Sequence, residues 1–371
     1  MTSMAADILR LAIPGVQGLS PYQPGKPIEE LEREYGVTNA IKLASNENPL
    51  GPSPRALEAA REVLRDIHRY PDGNGFALKQ ALARKLSVAP GNITLGNGSN
   101  DILELLARAF VQPENEVLFS EHAFAVYPIV TRAVGAKPVI TKAKNWGHDL
   151  AAMRAAVNAR TRLVFIANPN NPTGTWLAAG ELEAFIQSMP AHVLVAVDEA
   201  YFEYVNEAAY PNTIAWIDKY PNLVTTRTFS KAYGLAGLRV GYAVSSPEMA
   251  DVLNRVRQPF NVNSVALAAA TAALGDEMHV ARAVQVNREG MRLLAETFKS
   301  LGLKFIPSAG NFVCVDFGRP AAPVYEALLR VGVIVRPVAN YGMPNHLRIT
   351  IGLPEENLRF ITALKKVMHD Q

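Results

Sequence analysis

Lys231 sits in TRTFSKAYGLAGLRVG, residues 226–241, eight positions before Arg239 and among hydroxyls, small residues and three glycines. Burying a lysine costs the solvation its charge needs. A lysine kept at such a place either reaches solvent or works as an amine. Other reactive groups occupy comparable positions. Asp198 and Tyr201 follow the apolar run HVLVAV in DEAY, and the loop NPNNPTG, Asn168 to Gly174, follows RLVFIA. Amide, carboxylate, phenol and amine therefore arrive at the ends of successive runs. Each has a plain reading as well: Asn-Pro turns are common, an Asp at a strand end caps helices, and loop lysines are solvated. Their joint occurrence is much harder to attribute to chance.

A fourth element comes earlier. In ITLGNGSNDILELLARAF an apolar run ends in Gly96-Asn97-Gly98, and Ile102, Leu103, Leu105, Leu106 and Phe110 then recur at helical spacing from near Ser99. Glycines before a helix N-terminus leave backbone N–H groups and the positive dipole end free for a phosphate. A tight turn capped by Ser99 explains the same residues. The third glycine of the dinucleotide fingerprint is missing, and no GxxxxGK[ST] motif occurs.

The elements that must hold these groups are legible. EVLFS, RLVFIA, HVLVAV and NLVTTRT are continuous apolar or β-branched runs, as in strands buried on both faces of a parallel sheet. Helical stretches such as LAAGELEAFIQSM lie between them. In such a sheet ligands bind beyond the carboxyl ends of the strands. SPRALEAAREVLRDIH predicts a helix with Ser53 as N-cap and Pro54 at its first position. From about Asn263 a long helical region leads to NFVCVDF, VIVRPV and LRITIG, a second, α+β lobe. The expected division is a Pro- and Gly-rich arm at 1–45, a large α/β domain at 46–262 and a small domain at 263–371.

Composition narrows the classes. The 371 residues are 49% apolar and 19% charged, enough for two cores. No apolar run approaches the ~20 residues of a membrane span. Cys314, the one cysteine, cannot close an internal disulfide, and without CxxC or HExxH no metal site is expected. A net charge of +3 with no basic run longer than a pair argues against nucleic acid and suits small anions. The N-terminus carries Asp7 and no basic n-region, so a cytoplasmic location is expected.

Taken together, SPYQPGK, KLASNENPLGPSP, RYPDGNG, GNGSNDILELL, NPNNPTG, DEAYFEY, TFSKAYGLAGLRVGY and LRITIG resemble the fold-type I pyridoxal-phosphate aminotransferases. RYPDG and NENPLGPSP point to the histidinol-phosphate branch. The resemblance implies a large domain whose mainly parallel sheet is sandwiched by helices, plus a smaller α+β domain. It implies pyridoxal 5'-phosphate linked to Lys231, which also shuttles the proton. Asp198 would pair with the pyridine nitrogen, and Tyr201 and Asn171 with the ring oxygen. Phe124 would stack on the ring, where many relatives carry Tyr or Trp. Ser99, Asn100, Thr228, Ser230 and Arg239 would hold the cofactor phosphate, joined by Tyr70 of a neighbouring subunit in a homodimer with shared sites. Arg348 would clamp the carboxylate of glutamate, and Arg336 and Tyr22 the substrate phosphate.

The implied reaction is transamination between L-histidinol phosphate and 2-oxoglutarate, a step of histidine synthesis. An aromatic aminotransferase of the same fold and a phosphoamino-acid decarboxylase using the same cofactor are the alternatives. A DNA-binding regulator built on this fold would need an added domain, and residues 1–45 are too short and proline-rich for one.

Overall fold

The computed structural model describes residues 8–369. The first residues of the expected 1–45 arm, Asp7 among them, lie outside the described residues. Further along the arm, helix Ile28–Tyr35 buries Leu31 against Ala44, Leu329 and Ile334 of the C-terminal domain. The short strand β1 (Ile41–Lys42) follows it.

The large sheet comprises β2 (Ile93–Gly96), β3 (Glu116–Ser120), β4 (Lys137–Thr141), β5 (Thr161–Ala167), β6 (Leu194–Asp198), β7 (Leu223–Thr228) and β8 (Gly241–Ser245). Their order is β2-β8-β7-β6-β5-β3-β4. Only β8 runs antiparallel to its neighbours. The four apolar runs expected as strands are β3, β5, β6 and β7. Along β5, Val164 and Ile166 enter one apolar cluster while Leu163 and Phe165 enter another on the opposite face. That alternation follows from the period of two along a strand, and helices cover both faces. Since β2, β5, β6 and β7 share one direction, their carboxyl ends form a single rim.

The small sheet contains β9 (Lys304–Ile306) and β10 (Phe312–Asp316). The run VIVRPV, which reads as one strand, divides at buried Val335. Its first half, β11 (Val333–Ile334), pairs in parallel with β1 of the arm. Its second half, β12 (Arg336–Pro337), pairs with β13 (His346–Thr350), giving the antiparallel order β12-β13-β10-β9. This division ties the arm to the small domain and turns Arg336 toward the cleft between domains.

Helix Ser264–Leu274 packs on helices Pro54–Val63 and Phe76–Leu86, and buries Ala266, Ala269, Ala270 and Ala273 in the same cluster as Val164. We therefore propose a domain boundary after Leu274 in place of the expected 262. Its sequence SVALAAATAAL is nearly uniform in polarity, so no apolar stripe announces which core it joins. Helix Glu277–Ser300 then crosses to the small domain, where Leu294 and Phe298 are buried. Ser53 caps Pro54–Val63 as expected, its Oγ accepting from the Ala56 amide at 3.2 Å. Among the described residues, no helix is long and apolar enough to cross a membrane.

Candidate active site

Just past the end of β7, the chain turns at Ser230 and Lys231 and returns as β8. The Lys231 Nζ donates to the Ser45 carbonyl at 3.1 Å and lies 5.7 Å from the Tyr201 ring centre. Burial pushes its pKa down to about 7, with the positive charges of Arg348 and Arg239 adding to the effect and Glu47 opposing it. The amine is thus substantially neutral near pH 7 and can act as a nucleophile or base.

At the end of β6, Asp198 is 5% exposed and faces the same cleft. Its carboxylate accepts from Thr226 Oγ1 at 3.1 Å and from Tyr127 Oη at 3.2 Å. Burial raises its pKa to about 6 although both hydrogen bonds pull the other way. Tyr127 itself is fully buried and its phenol is pushed far up, so it stays protonated and donates. Tyr201, pushed up to about 12 chiefly by burial, accepts from Asn46 Nδ2 at 2.9 Å. A buried carboxylate held this way suits a cationic ring nitrogen.

The loop between β2 and the helix Ser99–Phe110 makes the third wall. Gly98, not Ser99, is the N-cap, it offers no capping side chain, and Ser99 and Asn100 at the start of the helix line the cleft. Ser99 is the first residue of the helix and does not cap it, contrary to the expected turn. Gly98 has φ 79°, and a Cβ there would stand 2.5 Å from Arg239 Nη2. Arg239 itself adopts φ 53° and bonds Ser230 Oγ at 3.2 Å. From beneath, β8 brings Gly241 so close that a Cβ would lie 2.5 Å from the Ser99 amide nitrogen. Helix N–H groups, Ser230, Thr228 and Arg239 surround a space that suits a phosphate dianion.

The small domain supplies the opposite wall. Arg348 donates to Asn171 Oδ1 and, at 2.6 Å, to the Ala44 carbonyl, while its buried Nε has no partner among the described residues. An orphaned buried guanidinium donor marks room for an anion. Arg336 is 7% exposed, donates to the Gln23 carbonyl at 2.7 Å, and lies 5.5 Å from the Tyr22 ring centre. Phe124 and Asn100 line the same cleft. Of the residues expected from sequence, only Tyr70 is outside it: 83% exposed, it stacks on Phe260 at 4.7 Å.

Ser45, Asn46, Thr226 and Tyr127 were not expected. Asn46 and Tyr127 lie within ASNENPLGPSP and EHAFAVYP, so their neighbourhoods carried a signal. Ser45 contributes a backbone carbonyl, which no side-chain pattern reveals.

The mainly parallel sheet, the second α+β domain and a depressed lysine between them define the aminotransferase architecture of fold type I. The chain belongs to the aminotransferase class I and II family, whose model matches residues 38–364. Histidinol-phosphate aminotransferase 2 of Pseudomonas fluorescens strain Pf0-1 is 63% identical over 367 residues, covering 98% of this chain and 99% of that protein. Histidinol-phosphate aminotransferase 1 of Nitrosococcus oceani is 61% identical, covering 97% and 98%. Among solved structures, histidinol-phosphate aminotransferase from Sinorhizobium meliloti in complex with pyridoxal-5'-phosphate superposes with TM-score 0.89 at 33% identity, covering 96% of this chain and 97% of that one. Aspartate aminotransferase from Thermus thermophilus with maleate gives TM-score 0.82 at 25% identity, covering 95% and 98%.

Gly98→Ala should displace Arg239 and weaken retention of pyridoxal phosphate about ten- to a hundred-fold, the worth of one charge-assisted hydrogen bond. Equilibrium dialysis checks this, with unphosphorylated pyridoxal as control. Equal losses for both compounds would contradict a phosphate cradle.

Proposed function

We infer that this chain is a pyridoxal-phosphate-dependent aminotransferase that interconverts L-histidinol phosphate and 2-oxoglutarate with imidazole acetol phosphate and L-glutamate. The names of its relatives support the substrate. The observation that carries the reading is the pair of arginines, Arg336 and Arg348, facing Lys231 across one cleft. Two cations there suit a donor with a phosphate and an acceptor with two carboxylates.

The cleft fits the cofactor. The uncapped helix N-terminus at Gly98 and the guanidinium a Cβ would displace suit its phosphate, and Asp198 suits its ring nitrogen. Bound pyridoxal phosphate supplies an aldehyde carbon that takes the amino group and a ring that accepts the electron pair freed at the donor carbon. The chain's own residues do the rest. Ser99, Asn100, Thr228, Ser230 and Arg239 hold the phosphate, and Phe124 packs on the ring. Asp198, held by Thr226 and Tyr127, keeps a proton on the ring nitrogen. Tyr201 and Asn171 bond the ring oxygen. Lys231, which loses its proton near pH 7, would provide the covalent anchor and would carry the proton removed from the donor carbon. Arg348 offers its unpaired Nε to the substrate carboxylate, and Arg336 with Tyr22 takes the phosphate.

This reading extends to a homodimer with shared sites. Leu64, Ile67, Tyr70, Phe76 and Phe260 are exposed, and Tyr70 stacks on Phe260, apolar side chains that a second copy could cover. Arg239 is exposed at the open rim of the cleft, where Tyr70 of a second copy would reach the phosphate. A cytoplasmic setting accords with the buried free thiol of Cys314.

Arg336→Ala should lower kcat/KM for histidinol phosphate by roughly 1.5–3 kcal/mol, or about ten- to a hundred-fold, and affect phenylalanine as donor far less. Equal losses would make Arg336 structural and favour an aromatic aminotransferase. For assembly, Lys231→Ala and Tyr70→Ala subunits, each impaired alone, should regain activity when mixed, because one site of the heterodimer keeps both groups. No recovery on mixing, or a fully active monomer by light scattering, would rule out shared sites.

A further inference from the structure

His122 lies between β3 and the helix Val126–Ala133, two residues before Phe124, and takes no part in the chemistry above. Its φ is 58°, a left-handed conformation uncommon for a residue with a Cβ. Such a conformation persists where surrounding contacts hold it. Three contacts do so here. The His122 Nδ1 lies 2.6 Å from the Tyr341 carbonyl of the small domain and donates to it. The His122 carbonyl accepts from Asn170 Nδ2 at 3.1 Å, in the loop that also carries Asn171. The His122 ring packs against Trp146 at 5.3 Å between ring centres.

Trp146 is itself in the left-handed region, at φ 66°, beside Asn145 at 51°. The two form the tip of a tight hairpin closed by paired backbone bonds between Lys144 and Gly147. That turn holds the indole between His122 of the large domain and His346 of the small domain, the latter edge-on at 4.8 Å. Tyr341, the acceptor of the His122 bond, lines the cleft with Arg336 and Arg348, and its phenol faces the Ala125 amide. Residues 122–125 therefore grip Tyr341 at its backbone and at its hydroxyl.

We propose that His122 is a positioning residue that sets how the small-domain wall of the cleft stands against the Phe124 and Asn171 wall, and so governs substrate affinity more than turnover. His122 joins the two elements in different ways: its ring bonds the Tyr341 turn, and its backbone carbonyl holds the asparagine loop. Donors and acceptors bridge the two walls, whereas the lysine, Asp198 and the phosphate cradle all lie on the large domain. Loosening the Tyr341 turn should thus weaken substrate binding while leaving the proton-transfer groups where they are.

The proposal rests on the aminotransferase reading, so its test includes a measurement that needs no substrate. His122→Gly removes the ring without backbone cost, His122→Ala removes it and keeps the left-handed strain, and His122→Asn tolerates the φ while offering an amide donor in place of Nδ1. In the holoenzyme, the Gly and Ala variants should raise KM for histidinol phosphate about tenfold with kcat changed less than about threefold, and Asn should restore most of the loss. Backbone amides of residues 338–343 should exchange with deuterium faster in the Gly and Ala variants and at near the parent rate in Asn. Unchanged exchange in His122→Gly would overturn the proposal whatever the substrate proves to be. Faster exchange in an enzyme inert toward histidinol phosphate would instead count against the functional reading. Equal falls of kcat in all three variants would place His122 in the chemistry and likewise overturn it.

Discussion

A cleft that must welcome anions has to keep cations waiting in it, and this shapes the state of Lys231. Arg348 and Arg239 stand ready for carboxylate and phosphate, and their field acts on the amine together with burial. Lowering its pKa from 10.5 to about 7 disfavours the charged form by roughly 5 kcal/mol. Burial is the larger cause of that shift, and the two cations add to it. Asp198 shows the converse arrangement: burial raises it to about 6, and Thr226 and Tyr127 limit the rise so that the carboxylate remains ionised near pH 7.

The sheet makes this arrangement possible. Parallel β5, β6 and β7 deliver the asparagine loop, Asp198 and Thr228 to one rim, and β2 delivers the Gly96–Gly98 turn to the same side. Antiparallel β8 then threads Gly241 under the Ser99 amide. A glycine is required at that point because two backbones meet there. The small domain needs only to present two arginines, and β12 and β13 do so at paired positions, Arg336 opposite Arg348.

Much of this was legible in the sequence because strands buried on both faces read as uninterrupted apolar runs. The residues following them could be assigned to one rim without further information, which is how Asp198 and Lys231 were brought together. Three features escaped for physical reasons. Helix Ser264–Leu274 is alanine-rich and has no polar side to orient it, so its sequence does not announce that it packs with the cluster around Val164. VIVRPV carries one β-like pattern yet serves two sheets, a choice made by partners far away in the chain. The Ser45 carbonyl and the Tyr127 hydroxyl act through distance and burial, which residue type alone does not disclose. Tyr70 is a different case: within one chain it faces solvent, and the role proposed for it requires a second copy.

Lys231 loses its proton near neutral pH, far below an ordinary lysine, before any cofactor is bound. Lysine labelled with ¹³C at Cε, with the resonance assigned by its loss in Lys231→Ala, lets the amine be titrated directly in the cofactor-free protein. A midpoint near pH 7 is the predicted result. A midpoint near the ordinary lysine value of about 10.5 would contradict the account.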